Sequence, residues 1–76
     1  MKKFTLEELA GYNGQNGNAA YIAAQGKVFD VSDNPYWING MRHGMRTGID
    51  WTEILNKIAP EGSKVLENLT QVGILE

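Results

Sequence analysis

Apolar and polar positions divide the chain into short elements. Thr5-Leu6-Glu7-Glu8-Leu9 has the spacing of a capping box, in which Thr5 accepts from the Glu8 N–H and Glu8 reaches back, so a short helix starts there and Gly11 ends it. Asn13 to Asn18 is a run of Asn, Gly and Gln, residues suited to positive φ, and predicts a polar loop. Ala20-Tyr21-Ile22-Ala23-Ala24 and Lys27-Val28-Phe29-Asp30-Val31 predict two strands joined by a two-residue turn at Gln25-Gly26. Asp30 stands between apolar neighbours and is expected to point off the core face.

The second half is less regular. Ser32-Asp33-Asn34-Pro35 is a helix-start cluster, with Pro35 suited to the first helical position after an Asn cap. Tyr36, Trp37 and Ile38 follow. Met41 to Gly48 then holds two arginines, two glycines, the single histidine and two of the three methionines. Its glycines argue against a helix and its irregularity against a strand. Asp50 opens the clearest helix as N-cap, with Glu53 at box spacing and Trp51, Ile54, Leu55 and Ile58 forming one apolar stripe. Pro60 and Gly62 end it. Ser63 caps a last short helix with Val65, Leu66 and Leu69 on one face. Val72, Ile74 and Leu75 alternate around Gly73 as a terminal strand. The order predicts one α+β domain over residues 1–76, a small sheet with short helices packed at one end.

Composition narrows the function. The 76 residues carry a net charge of −2, with 42% hydrophobic and 21% charged residues, which suits a small globular domain and not a disordered chain. The absence of cysteine excludes disulfides, thiolate nucleophiles, iron–sulfur clusters and Cys-type zinc sites. The mildly acidic balance argues against nucleic acid as the main partner. No apolar run approaches the ~20 residues of a membrane span, and Glu7 and Glu8 interrupt any signal-peptide core, so a cytoplasmic location away from the membrane is expected.

The unusual chemistry lies in the centre. One histidine means that a bis-histidine metal or haem site cannot form within one chain. Taken by itself, His43 is more often a structural histidine than a ligand or base. Its neighbours change that balance. Gly44 permits close approach of a flat ligand. Met41 and Met45 offer adaptable walls. Arg42 and Arg46 can hold carboxylates or phosphates, although solvated arginines are the commoner case. Tyr36, Trp37 and Trp51 can wall an aromatic pocket, with core packing the stronger reading for Trp51. Asp30, Asp33 and Asp50 each read as turn or cap residues, and no catalytic triad, phosphate loop or dinucleotide fingerprint is present. No enzyme is expected.

The chain resembles a known family. Phe4-Thr5-Leu6-Glu7-Glu8-Leu9, Ala20-Tyr21-Ile22-Ala23 and Gly26-Lys27-Val28-Phe29-Asp30-Val31-Ser32 look like the opening of the cytochrome b5-like haem/steroid-binding domain. The subgroup it is most similar to is the membrane-associated progesterone receptor type, in its short soluble prokaryotic form. Gly48-Ile49-Asp50-Trp51-Thr52 matches the Gly-x-Asp-x-Ser/Thr helix start of that subgroup, and the resemblance covers most of the chain. It implies a small mixed sheet with short helices forming a ligand cleft, and haem b as the cofactor. The His-Pro-Gly-Gly motif and second ligand histidine of classical cytochrome b5 are absent. The subgroup's ligand Tyr-Gly aligns with His43-Gly44, so the resemblance implies His43 as the iron ligand. Short prokaryotic relatives often carry a histidine in Ala-Pro-His-Gly; here the stretch reads Ala59-Pro60-Glu61-Gly62.

One imidazole implies five-coordinate iron with an open or water-bound sixth site, unless Met41, Met45 or Tyr36 fills it. Arg42 and Arg46 are the expected propionate partners, and Tyr36, Trp37, Met41, Met45 and Ile54 the expected contacts. The implied roles are electron transfer, haem carriage or sensing, with a redox protein as partner and oligomeric state open. The competing reading keeps the fold but binds a small apolar, steroid-like ligand or a protein partner in the same cleft. Weak peroxidase turnover is the one catalytic chemistry such a haem would supply.

Overall fold

The computed structural model describes residues 1–32, 41–42, 45–57 and 69–76, with backbone alone for residues 41, 42 and 45. The elements are β1 (Lys2–Phe4), α1 (Leu6–Ala10), β2 (Tyr21–Ala24), β3 (Lys27–Asp30), β4 (Met41–Arg42), β5 (Met45–Arg46), α2 (Thr52–Lys57) and β6 (Thr70–Leu75). Four of them form a mixed sheet in the order β1-β6-β3-β2. The expected architecture, a small mixed sheet with short helices, is the one observed.

Local rules explain most boundaries. Both bonds of the α1 capping box form, Glu8 N–H to Thr5 Oγ1 and Thr5 N–H to Glu8 Oε1, each at 3.1 Å. Gly11 caps the other end with right-handed backbone, φ −76°, so its lack of a side chain is not needed there for a left-handed turn. The Gln25-Gly26 turn has positive φ at both residues, 53° and 80°, the primed geometry that matches strand twist. Asn13 Oδ1 accepts from Gln15 N–H, and Gly14, Asn16 and Gly17 all take positive φ.

The strand β1 was not foreseen from the Lys2-Lys3-Phe4 pattern. Three residues with one inward apolar side chain carry no readable alternation, and β1 exists because β6 offers it a parallel partner. The C-terminal strand is therefore not an edge. It runs parallel to β1 and antiparallel to β3, with an irregularity opposite Val28 and Phe29. Gly73 sits at its centre because the Phe4 ring lies over it. A Cβ there would meet the Lys2 carbonyl oxygen and stand 2.5 Å from Phe4 Cε2.

The sheet buries a cluster on each face. On one face Ala20, Ile22, Ala24, Val31, Trp51 and Leu55 are buried, with half-buried Phe29, Ile49, Ile54 and Leu69 packed against them. On the other, Phe4, Leu9, Ala23 and Val28 are buried beneath Tyr12, Tyr21, Val72 and Leu75. Tyr12 and Tyr21 stack with centroids 4.4 Å apart, and Phe4 meets both edge-on. Asp30, expected off the core face, instead lies on the side of the second cluster, half-buried opposite Tyr21, whose pKa is raised by burial and by nearby Asp30 and Tyr12. Leu69, expected on a helix face, has no regular structure and leads into β6. The helix-start cluster from Asp33, the helix end at Pro60 and Gly62, and the helix expected from Ser63 lie outside the described residues.

Replacing Gly73 by Ala tests this packing. Without room for the methyl, Phe4 or β1 must shift, and the variant is expected to lose about 1–3 kcal/mol, read as a lower thermal midpoint. A midpoint equal to wild type would show that Phe4 does not lie over Gly73.

Candidate functional site

The segment after β5 ties the centre of the chain to the sheet. Gly48 N–H donates to Tyr21 O at 2.7 Å, Ala23 N–H to Ile49 O at 3.1 Å, and Trp51 N–H to Ala23 O at 2.6 Å. Residues 48–51 thus line the free edge of β2 as a parallel partner, with a bridge between Ala23 and Asp50. This pairing satisfies backbone groups that an open edge would leave to solvent. Beyond it, Gln25 N–H donates to Thr52 Oγ1 at 2.9 Å.

The Gly-x-Asp pattern now has physical reasons. Gly48 takes φ +79°, and a Cβ there would stand 3.1 Å from Leu9 O and 3.3 Å from Ala10 O. Glycine permits both the turn and the close approach to the end of α1. Asp50 Oδ1 accepts from the Thr52 N–H at 3.0 Å and the Thr52 hydroxyl at 2.7 Å. This corrects the expected capping box: Asp50 closes a turn onto Thr52, two residues on, instead of bonding to Glu53, and α2 begins at Thr52.

Trp51 is fully buried, and its indole N–H donates to Arg46 O at 2.9 Å. Its aromatic bulk belongs to the core, as the apolar stripe predicted. The carbonyl it holds belongs to β5, so the indole fastens the short ladder to the core. That ladder pairs Met41 with Arg46 and Arg42 with Met45. It corrects the expectation of neither helix nor strand between Met41 and Gly48. Two rungs need extended backbone at four residues and no alternation of side chains, so the pattern carried no signal.

Of the residues singled out from sequence, Arg46 is exposed and Ile54 is half-buried against the first-face core. Met41, Arg42 and Met45 are placed by backbone pairing. Tyr36, Trp37 and His43 lie outside the described residues. Sequence reasoning missed Thr47. It is 1% exposed, and its Oγ1 has no hydrogen-bond partner. An unserved buried hydroxyl costs about 1–3 kcal/mol. A threonine between Arg46 and Gly48 reads as an ordinary polar residue, and no pattern could have marked it. Beside it, a cavity of about 310 Å³ is lined by Ala10, Asn13, Gln15, Arg46, Thr47 and Ile49.

With this geometry described, similarity to known proteins becomes informative. A cytochrome b5 domain protein from Hadesarchaea superposes with a TM-score of 0.90 at 42% identity, over 100% of both chains. Another from Methanococcoides burtonii gives 0.90 at 44% identity, covering 100% of this chain and 99% of that one. This chain belongs to the cytochrome b5 domain proteins. A hypothetical protein from Arabidopsis thaliana with a cytochrome b5 like fold shares the fold, with a TM-score of 0.74 at 23% identity over 99% of this domain and 91% of that chain. Chitin synthase 6 of Pyricularia oryzae is 57% identical over 28 residues, 37% of this chain; that match spans 2% of the fungal protein. No family model matches. No helix among the described residues of this cytochrome b5 domain is long and apolar enough to cross a membrane.

The residues present suit a haem. The first face offers an apolar floor, the adjoining segment keeps a buried hydroxyl without a partner, and an exposed guanidinium at Arg46 stands at the end of that segment. Gly48→Ala is the direct test of how the segment is held. The strained φ and the α1 carbonyls should cost about 1–3 kcal/mol, seen as a lowered thermal midpoint. Unchanged stability would mean that residues 48–51 do not pack against α1 as described.

Proposed function

We propose that this cytochrome b5 domain is a b-type haem-binding protein with His43 as its single protein axial ligand, acting in electron transfer, haem carriage or sensing. The observation that carries the reading is the full-length likeness, at 42–44% identity, to cytochrome b5 domain proteins. The apolar floor of the first face supports it. Bound haem would supply a redox-active iron. Phe29, Ile49, Ile54 and Leu69 would exclude water from one side, and the exposed Arg46, with Arg42, would pair with the propionates by charge-assisted bonds. Tyr36, Trp37, Met41 and Met45 complete the proposed contacts. Placement within the progesterone receptor-type subgroup rests on the Gly48-Ile49-Asp50 pattern.

A second reading keeps a colourless protein. The same half-buried apolar residues suit a flat, steroid-like ligand or a protein partner, and the absence of a second ligand histidine favours it.

Titration with haemin separates the two. Wild type is expected to bind one equivalent saturably with a sharpened Soret band, and His43→Ala to bind more than about tenfold more weakly. Absence of one-to-one binding, or a His43→Ala variant that binds unchanged, contradicts His43 ligation.

A further inference from the structure

The sheet has two edges, and only one of them is covered. Residues 48–51 line the edge at β2, whereas nothing among the described residues pairs with the outer side of β1. Phe4 O accepts from the Glu76 N–H, so the backbone groups of Lys2 and Phe4 serve β6, and those of Lys3 between them face outward. We propose that this edge docks an extended acidic segment of a partner protein by strand addition, the Lys3 N–H and C=O making the backbone bonds and the neighbouring lysines the charge contacts. The proposal is independent of the haem reading, because β1 stands at the opposite edge of the sheet from residues 48–51.

Charge selects the occupant. A chain of net charge −2 places three of its five lysines here. Lys3, Ile74 and Lys27 are cross-strand partners in one row, so their exposed side chains share a face. Lys2 projects from the other face of β1, its Nζ 5.0 Å from the Phe4 ring centroid. Among the described residues none makes an ion pair with these lysines, the nearby Glu7 and Glu76 included. Like charge therefore opposes pairing of β1 with a second copy of itself, the protective use of lysine on an edge strand, and favours a strand that bears carboxylates. The exposed large apolar side chains among the described residues are Met1, Leu6 and Ile74, which precede, follow and pair with β1. They give an added strand apolar contact beside the charges.

Titration with an acetylated Glu-Val repeat peptide tests this, with a Lys-Val repeat as control. The Lys3 amide serves no strand of this chain, and its hydrogen exchange should slow at least about tenfold when the acidic peptide is bound. Binding should weaken as salt is added. Lys3→Pro removes the outward N–H, a change that an edge strand tolerates on its solvent side, and should abolish binding. Lys3→Gln removes the charge alone and should weaken binding several-fold. Unchanged exchange at Lys3, equal binding by the two variants, or equal binding of the Lys-Val peptide would overturn the proposal. The exchange measurement on wild type decides the matter if Lys3→Pro does not fold. Binding to phosphatidylglycerol vesicles but not to the acidic peptide would assign the lysines to a lipid surface and overturn it as well.

Discussion

The pairing of residues 48–51 with the edge of β2 is the constraint on which the rest of the site depends. Three backbone hydrogen bonds and the Gln25 N–H to Thr52 Oγ1 bond hold this stretch along the sheet. Each bond is modest in net terms, about 1 kcal/mol, but together they remove the freedom of a glycine-containing segment. They also decide what happens next to it. Once Trp51 is fixed, its side chain fills the first-face core and its indole N–H holds the end of β5. The segment that carries the candidate ligand is thus fastened at one end to the most regular part of the fold.

The division of labour between the two faces follows from β2. Tyr21 and Ala23 serve the face that packs α1 and the aromatic cluster, while Ile22 and Ala24 serve the face shared with Trp51 and Leu55. The aromatic cluster is held by rings stacked and edge-on. Both clusters carry half-buried apolar side chains at their margins. A small domain has little surplus stability, so the buried Thr47 hydroxyl without a partner is a cost within it.

Much of the fold was legible because its signals are local. The Thr5–Glu8 box, the Gln25-Gly26 turn and the two hairpin strands each depend on residues adjacent in sequence. What was not legible depends on partners far away. Lys2 to Phe4 became a strand because Gly73 to Leu75 lies beside it. Asp50 looked like an N-cap, yet its carboxylate serves Thr52, while the Trp51 N–H is held by the Ala23 carbonyl. The Gly48-Ile49-Asp50 pattern marked a segment that pairs with the sheet edge, but its reason, the approach of Gly48 to the α1 carbonyls, is tertiary. Thr47 was invisible for the same cause: its burial comes from neighbours outside its own stretch.

The anchoring of residues 48–51 is tested most directly by native-state amide hydrogen exchange on the apoprotein. The Gly48, Ala23 and Trp51 amides should be protected to the same degree as those of the β2–β3 ladder, opening only with global unfolding. Exchange of Gly48 and Trp51 at the rate of the exposed Asn16 loop would contradict it, and with it the view that the sheet edge holds the candidate site in place.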